Sequence, residues 1–178
     1  DLDQFIADLK EIPNAVEAML DRKNTMAEYA RLLADQRDAY FIGRQLDYVN
    51  VLEGALKLKE ISYVHADAYY AGELKHGPIA LIEEGTVVIA LATQKEVAAK
   101  TISNIEETIA RGAEVILIKA PGIHSDKIER QIDLVPVHPY LTGILVAVLL
   151  QLFAFYTAKE KGCNVDQPRN LAKSVTVE

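Results

Sequence analysis

The sequence contains a single cysteine, no tryptophan and fewer basic than acidic residues. Cys163 is the only cysteine among 178 residues, so no disulfide can form within the chain and we expect a reducing, cytoplasmic location. With 19 Lys and Arg against 26 Asp and Glu, the net charge is −7. This balance argues against nucleic-acid binding, because phosphate neutralisation needs clustered cations. It does not exclude a local site for one anionic small molecule.

Motifs for nucleotides and for secretion are also missing. Neither GxGxxG nor a Walker-A loop occurs, so we predict no nucleotide cofactor, and we expect no metal site. The chain lacks an initial basic region followed by an apolar run, so we see no signal peptide.

Residues 140–158 carry no charge and could span a bilayer by length. A single stretch of this kind, diluted by Gly143 and Gln151, is more typical of a buried core helix, and we expect no membrane span.

The composition is that of a globular protein, with 50% hydrophobic and 25% charged residues. Residues 1–36 have the pattern of a helical arm, with one helix interrupted at Pro13 and a second over residues 26–35. Strands are expected over residues 39–43, 86–92, 114–120 and 132–137, and helices over 47–63, 96–111 and 140–161. This alternation predicts an α/β fold over residues 37–161: a three-layer αβα sandwich with a mostly parallel sheet. Residues 162–178 form a tail.

Three charged residues share one face of the helix expected over residues 47–63. Glu53, Lys57 and Glu60 are spaced by four and three, which places them within an arc of roughly 60°. Apolar residues fill most of the remaining circumference, which is typical of a buried helix. A buried carboxylate beside a lysine suits a general base. The alternative is an ordinary surface pair between Glu53 and Lys57, with Glu60 as another solvated charge.

Gly43 and Arg44 follow the first expected strand and precede that helix. Ligands of parallel α/β folds bind beyond the carboxyl ends of the strands, so Arg44 is a candidate for contact with an anion or a partner. The alternative is a tight strand-to-helix turn that requires a glycine.

Several segments together resemble one enzyme family. They are Gly43-Arg44, LEGALKLKEISY over residues 52–63, HADAY over 65–69, AGELKHGP over 71–78 and the tail DQPRNLAKSVTVE from Asp166. They are similar to the carboxyl-terminal half of the sugar-isomerase (SIS) domain of glucosamine-6-phosphate synthase, the isomerising glutamine–fructose-6-phosphate aminotransferase. The resemblance implies a flavodoxin- or Rossmann-like SIS fold.

The resemblance also implies a reaction and its partners. The family converts fructose 6-phosphate and glutamine-derived ammonia to glucosamine 6-phosphate, on the route to UDP-N-acetylglucosamine. Its members have a glutaminase domain and two SIS subdomains, and they act as at least a homodimer. This chain matches only the second subdomain and the tail. It lacks the Ser/Thr-rich phosphate loop, so we expect the chain alone to be inactive.

Residue roles are implied by the same match. Glu60 matches the general base that moves a proton between C1 and C2, and Lys57 a lysine that stabilises developing charge. His76 matches a ring-opening histidine contributed across the dimer, and Lys173 a tail lysine for ring opening and Schiff-base formation. Substrate contacts are expected from Ala172, Glu53 and Arg44, with Glu53 in a supporting role.

Two positions depart from the family pattern, and other residues match no catalytic position. Gln45 stands where a second glycine is common, and Asp67 where glutamate is common. The remaining histidines, His65, His124 and His138, and Cys163 are interpreted as structural.

Two other functions stay open: a stand-alone phosphosugar isomerase, and a non-catalytic module for sugar-phosphate binding or dimerisation. The tail argues against the first and the set of catalytic-type residues against the second. We also expect the chain to self-associate, and residues 166–178 to be poorly ordered or docked in a way that depends on neighbouring molecules.

Overall fold

A parallel sheet forms the centre of the computed structural model, which describes residues 2–171. Within those residues the sheet has five strands in the order β2-β1-β3-β4-β5, all parallel. The strands are β1 (Asp38–Gly43), β2 (His65–Tyr70), β3 (Val87–Ala92), β4 (Glu114–Lys119) and β5 (Arg130–Asp133). The helices are α1 (Leu2–Leu20), α2 (Lys23–Ala30), α3 (Leu46–Ser62), α4 (Lys95–Ile109) and α5 (Thr142–Glu160). Short 3-10 helices span Arg31–Leu33, Ala71–His76, Pro78–Leu81 and Pro139–Leu141.

Both faces of the sheet are covered, which confirms the three-layer αβα sandwich. Alternate residues of β1 enter different cores, because successive side chains of a strand point to opposite faces. Phe41 joins a core with α3 and α5, whereas Ile42 joins a second core with α4. The segment Ala71–His76 lies on the α4 side, where Ala71 and Leu74 are buried.

The N-terminal helices pack against α5 rather than standing apart. Met19 of α1, Met26 of α2 and Leu33 are fully buried in the same core as α5. The expected interruption at Pro13 is wrong, since α1 continues through it. Pro13 lies on the exposed side of the helix, where water can hydrogen-bond the carbonyl that loses its donor.

Two element boundaries and one whole strand also differ from expectation. The second helix ends at Ala30 and continues only as the 3-10 turn Arg31–Leu33. The last strand is Arg130–Asp133 and does not reach residue 137, because Pro136 has no N–H to donate to a neighbouring strand. Strand β2 was not expected at all. Its sequence, HADAYY, is poor in β-branched residues, and it forms a partly exposed sheet edge that pairs only with β1 within the described residues.

The uncharged stretch forms α5 and lies in the core. The helix Pro139–Glu160 is long and apolar enough to cross a membrane by length and composition, but 56% of its most apolar window is buried inside the protein. Leu145, Leu149 and Phe153 pack in the core shared with α3. A core helix satisfies the same criteria as a membrane span, so this segment needs no membrane to account for it.

Candidate active site

The three charged residues of α3 form one connected group. Lys57 Nζ lies 2.8 Å from Glu60 Oε2, to which it donates a hydrogen bond, and 3.7 Å from Glu53 Oε1. The hydrogen bond to Glu60 raises the pKa of the Lys57 ammonium above its ordinary value, with burial opposing that shift. Lys57 therefore remains positively charged at neutral pH. A fixed ammonium beside a carboxylate can stabilise negative charge that develops on a nearby substrate oxygen.

The expectation that α3 is buried nearly all round is wrong for this chain. Val49, Leu52 and Leu56 are 60%, 45% and 44% exposed. The side chains of Glu60 and Lys57 are only 29% and 32% exposed, because each partly covers the other. The group thus has the geometry of an ordinary surface pair, and it also leaves the Glu60 carboxylate accessible to a molecule from outside.

Glu60 does not lie where ligands of such folds usually bind. Helix α3 begins beside the carboxyl end of β1 and runs back to the start of β2, so its last turns lie toward the amino ends of the strands. The usual ligand crevice opens where neighbouring strands connect in opposite directions, between β1 and β3. Glu60 is therefore remote from the crevice of its own sheet.

That crevice is occupied by Asp47, which the sequence analysis did not single out. Asp47 is fully buried, and its Oδ2 accepts a hydrogen bond of 2.7 Å from the Thr93 N–H. The Thr93 hydroxyl donates to Oδ1 and also lies 3.2 Å from the Thr142 hydroxyl. Burial raises the pKa of the Asp47 carboxyl, with the hydrogen bonds from Thr93 opposing the shift. An acidic residue in the first turn of a helix was the only signal available in the sequence.

The turn before Asp47 favours the structural interpretation of Gly43. A Cβ on Gly43 would lie 2.7 Å from the carbonyl carbon and oxygen of Asp47, so only glycine fits this close approach. The adjacent Arg44 already binds a side chain of α4. Its Nη2 and Nε donate to Asn104 Oδ1 at 2.7 and 3.2 Å.

His76 lies apart from the charged group of α3. It ends the segment Ala71–His76, and its side chain is 72% exposed, with Nε2 at 4.0 Å from Glu73. Leu74 of this segment packs on the α4 face of the sheet, whereas Leu58 of α3 packs on the opposite face. The sheet therefore separates His76 from Glu60 within one chain.

The proposed tail residues Ala172 and Lys173 lie outside the described residues. The preceding segment contacts the end of α3: the Arg169 N–H donates to Tyr63 Oη at 2.8 Å, and the guanidinium lies 4.0 Å from the ring centroid. Tyr63 follows Glu60 by less than one helical turn, so Arg169 lies beside the end of the helix that carries Glu60.

Two of the histidines interpreted as structural have local partners. His65 Nδ1 lies 3.0 Å from Asp38 Oδ1, and His138 contacts Phe5 edge-on at 5.2 Å between ring centroids. Within residues 2–171, no three His, Cys, Asp or Glu side chains come close enough to hold a metal ion.

Comparison with known proteins assigns the family. The family model of the SIS domain matches residues 32–159. The chain belongs to the SIS domain family. It is 50% identical over 179 residues to the glutamine–fructose-6-phosphate aminotransferase (isomerising) of Caldanaerobacter subterraneus subsp. tengcongensis, covering 98% of this chain and 29% of that protein. The corresponding enzyme of Methanosarcina acetivorans is 48% identical over 178 residues, with 98% and 28% covered.

Solved structures agree with this assignment. The C-terminal domain of glucosamine–fructose-6-phosphate aminotransferase from Francisella tularensis superposes with a TM-score of 0.85 and 36% identity, over 90% of this chain and 46% of that one. Tagatose-6-phosphate ketose/aldose isomerase from Escherichia coli has a TM-score of 0.72 at 16% identity, over 94% and 47% of the two chains, which indicates a shared fold only. The chain spans less than a third of the length of the curated relatives named above.

Proposed function

We propose that this chain is the second sugar-isomerase unit of an isomerising glutamine–fructose-6-phosphate aminotransferase. The observation that carries the proposal is the Lys57–Glu60 pair, hydrogen-bonded at 2.8 Å on an accessible helix face of a SIS fold. Relatives about half identical along nearly the whole chain carry that enzyme's name. The substrates would be fructose 6-phosphate and ammonia, and the product glucosamine 6-phosphate, in the cytoplasm.

In this proposal Glu60 is the general base. Ammonia replaces the C2 ketone oxygen of the open-chain sugar, which leaves as water, and an imine results. Glu60 removes a proton from C1 and returns one at C2, while the proton of the C1 hydroxyl passes to the nitrogen, so that C1 becomes the aldehyde and C2 carries the amine. Lys57 stays protonated and stabilises the negative charge that grows on the substrate oxygen during the transfer. Glu53 supports Lys57 from 3.7 Å away.

His76 and the tail complete the site from other directions. His76 would protonate the ring oxygen as the sugar opens, and its imidazole is suited to move that proton in either direction near neutral pH. The sheet separates it from Glu60, so it would act on the site of a second copy, which makes a homodimer part of the proposal. Lys173 would assist ring opening and hold the C2 ketone as a Schiff base, formed with loss of water, until ammonia displaces the lysine amine and leaves the substrate imine. Ala172 would contact the sugar beside it.

The proposal is tested by comparing the full-length protein with the 178-residue chain alone. We expect glucosamine 6-phosphate from fructose 6-phosphate and glutamine only with the full-length protein, because this chain lacks the Ser/Thr-rich phosphate loop and the ammonia source. Product formed by the chain alone, above a Glu60→Gln control, would contradict this.

The alternative is a stand-alone phosphosugar isomerase, in which the Lys57–Glu60 pair would have the same role. It would convert fructose 6-phosphate to an aldose phosphate without any ammonia donor. Assaying the full-length protein with and without glutamine separates the two functions: an amino sugar that appears only with glutamine supports our proposal, and an aldose phosphate formed equally without glutamine supports the alternative.

A further inference from the structure

The Arg44 guanidinium lies beneath the segment that carries His76. It is held on one side by α4, where Nη2 and Nε both donate to Asn104 Oδ1, at 2.7 and 3.2 Å. Two donors that converge on one oxygen place that oxygen close to the plane of the guanidinium and hold the group against α4. Arg44 and Asn104 are far apart in sequence, so this contact joins the end of β1 to the middle of α4.

On its other side the guanidinium supports the turn from β2 into the segment Ala71–His76. A Cβ on Gly72 would lie 2.8 Å from Arg44 Nη2 and 3.2 Å from both Cζ and Nη1, so the guanidinium fills the space that a side chain at position 72 would need. The Tyr70 ring also faces Arg44, with Cζ 5.5 Å from the ring centroid, within cation–π range. The missing Cβ of Gly72 makes room for the guanidinium and does not serve a left-handed backbone, because Gly72 is not among the described glycines with positive φ.

His76 depends on its backbone for its position. The side chain is 72% exposed, and the single carboxylate near it, on Glu73, is 4.0 Å away and itself exposed. At the end of the segment, Lys75 forms a 2.8 Å ion pair with Glu107 of α4. Arg44 at the start and Lys75 at the end therefore hold the segment against α4, and the partly buried Arg44 contact is the less solvent-screened of the two.

We propose that Arg44 is a positioning residue for His76, acting through the backbone of Gly72 instead of binding substrate directly. This inference rests on the proposed function, since it requires that His76 take part in ring opening. Lysine cannot substitute, because an ammonium is a compact point charge that offers neither the two-donor contact to Asn104 nor a flat surface for Gly72. A displacement of about 1 Å at a reacting group can cost roughly 100-fold in rate.

The test is a double-mutant cycle in the full-length protein with Arg44→Lys and His76→Asn. We expect Arg44→Lys to lower kcat by roughly 10- to 100-fold with little change in KM, and to have almost no further effect once His76 is asparagine. If the two reductions in kcat multiply in the double variant, the proposal is overturned. If His76→Asn alone leaves kcat unchanged, the assignment of His76 in the proposed function fails instead.

A second readout does not depend on activity. In the 178-residue chain, amide hydrogens of residues 72–77 should exchange faster in Arg44→Lys than in the unmodified chain, while those of α3 are unchanged. Arg111→Lys is the matched control, because Arg111 makes one exposed hydrogen bond to the Glu107 carbonyl. Should Arg44→Lys fail to fold, Asn104→Ala removes the same contact from the other side, and unchanged exchange over residues 72–77 in that variant would refute the role.

Discussion

Replacing Gln45 by glycine should stabilise the protein, which is the reverse of the usual effect of glycine. Gln45 precedes α3 with φ 52° and ψ −125°, a backbone conformation that a residue with a Cβ adopts at a cost. Such strain is worth on the order of 1–3 kcal/mol. Gln45 is exposed, and within residues 2–171 its side chain makes no hydrogen bond, so its removal loses little.

The expected gain is the released strain minus the entropy that glycine loses on folding. That entropic cost is about 0.5–1 kcal/mol, which leaves a net stabilisation of up to about 2.5 kcal/mol. For a chain of this size, each kcal/mol shifts the melting temperature by about 2–4 °C. Gln45→Gly should therefore melt up to about 10 °C higher than the parent chain and unfold at a higher urea concentration with an unchanged m-value.

Gln45→Ala is the matched control, because it removes the side chain but keeps the Cβ that causes the strain. We expect its stability to remain within about 0.5 kcal/mol of the parent chain. A destabilised glycine variant, or an alanine variant stabilised as much as the glycine one, would refute the assignment of strain to this turn.

Two further predictions concern polar groups with several hydrogen bonds. Lys161 Nζ donates to the backbone carbonyls of Leu33, Ala34 and Gln36, at 3.2, 3.0 and 2.9 Å. Lys161→Met should therefore cost about 1–3 kcal/mol in chemical denaturation, whereas the exposed Lys159→Met should cost less than about 0.5 kcal/mol; equal effects would contradict the role of Lys161. Burial raises the pKa of Asp47, so folding favours its protonated form, and the protein should lose stability as pH rises from about 4 through that raised pKa. In Asp47→Asn, which keeps an oxygen for the Thr93 N–H, this loss should be absent when urea midpoints are compared between pH 4 and 8; parallel pH profiles for the two proteins would argue against it.

The sequence predicted those parts of the fold that depend on local pattern. Strand β3 and helix α5 can be recognised from the sequence, because each contains a run of neighbouring apolar residues, most of which are buried. Strand β2 escaped prediction since an edge strand is stabilised by pairing with β1 and not by its own side chains. Pro13 is tolerated within helix α1, whereas Pro136 lies beyond the end of strand β5. The outcomes differ because, at the surface, solvent can replace the hydrogen-bond donor that a proline removes from a helix.

The candidate site was predictable only in its local part. Helical spacing brought Glu53, Lys57 and Glu60 together, and the structure confirms that they contact one another. The burial of Asp47 could not be inferred, because it depends on Thr93, which is brought beside it by the strand order. The separation of His76 from Glu60 likewise follows from which face of the sheet each segment covers, and spacing along the chain carries no information about that.

The most direct measurement compares the rates of glucosamine 6-phosphate formation and glutamine hydrolysis in a Glu60→Gln variant of the full-length protein. Glutamine keeps the shape of the side chain but cannot accept the proton from C1, and general base catalysis is typically worth about 10²–10⁴-fold. Glucosamine 6-phosphate formation should fall by that factor while glutamine hydrolysis continues, and Lys59→Gln, at an exposed position on the same helix, should leave both rates unchanged. Near-normal formation of glucosamine 6-phosphate by Glu60→Gln would show that Glu60 is not the base.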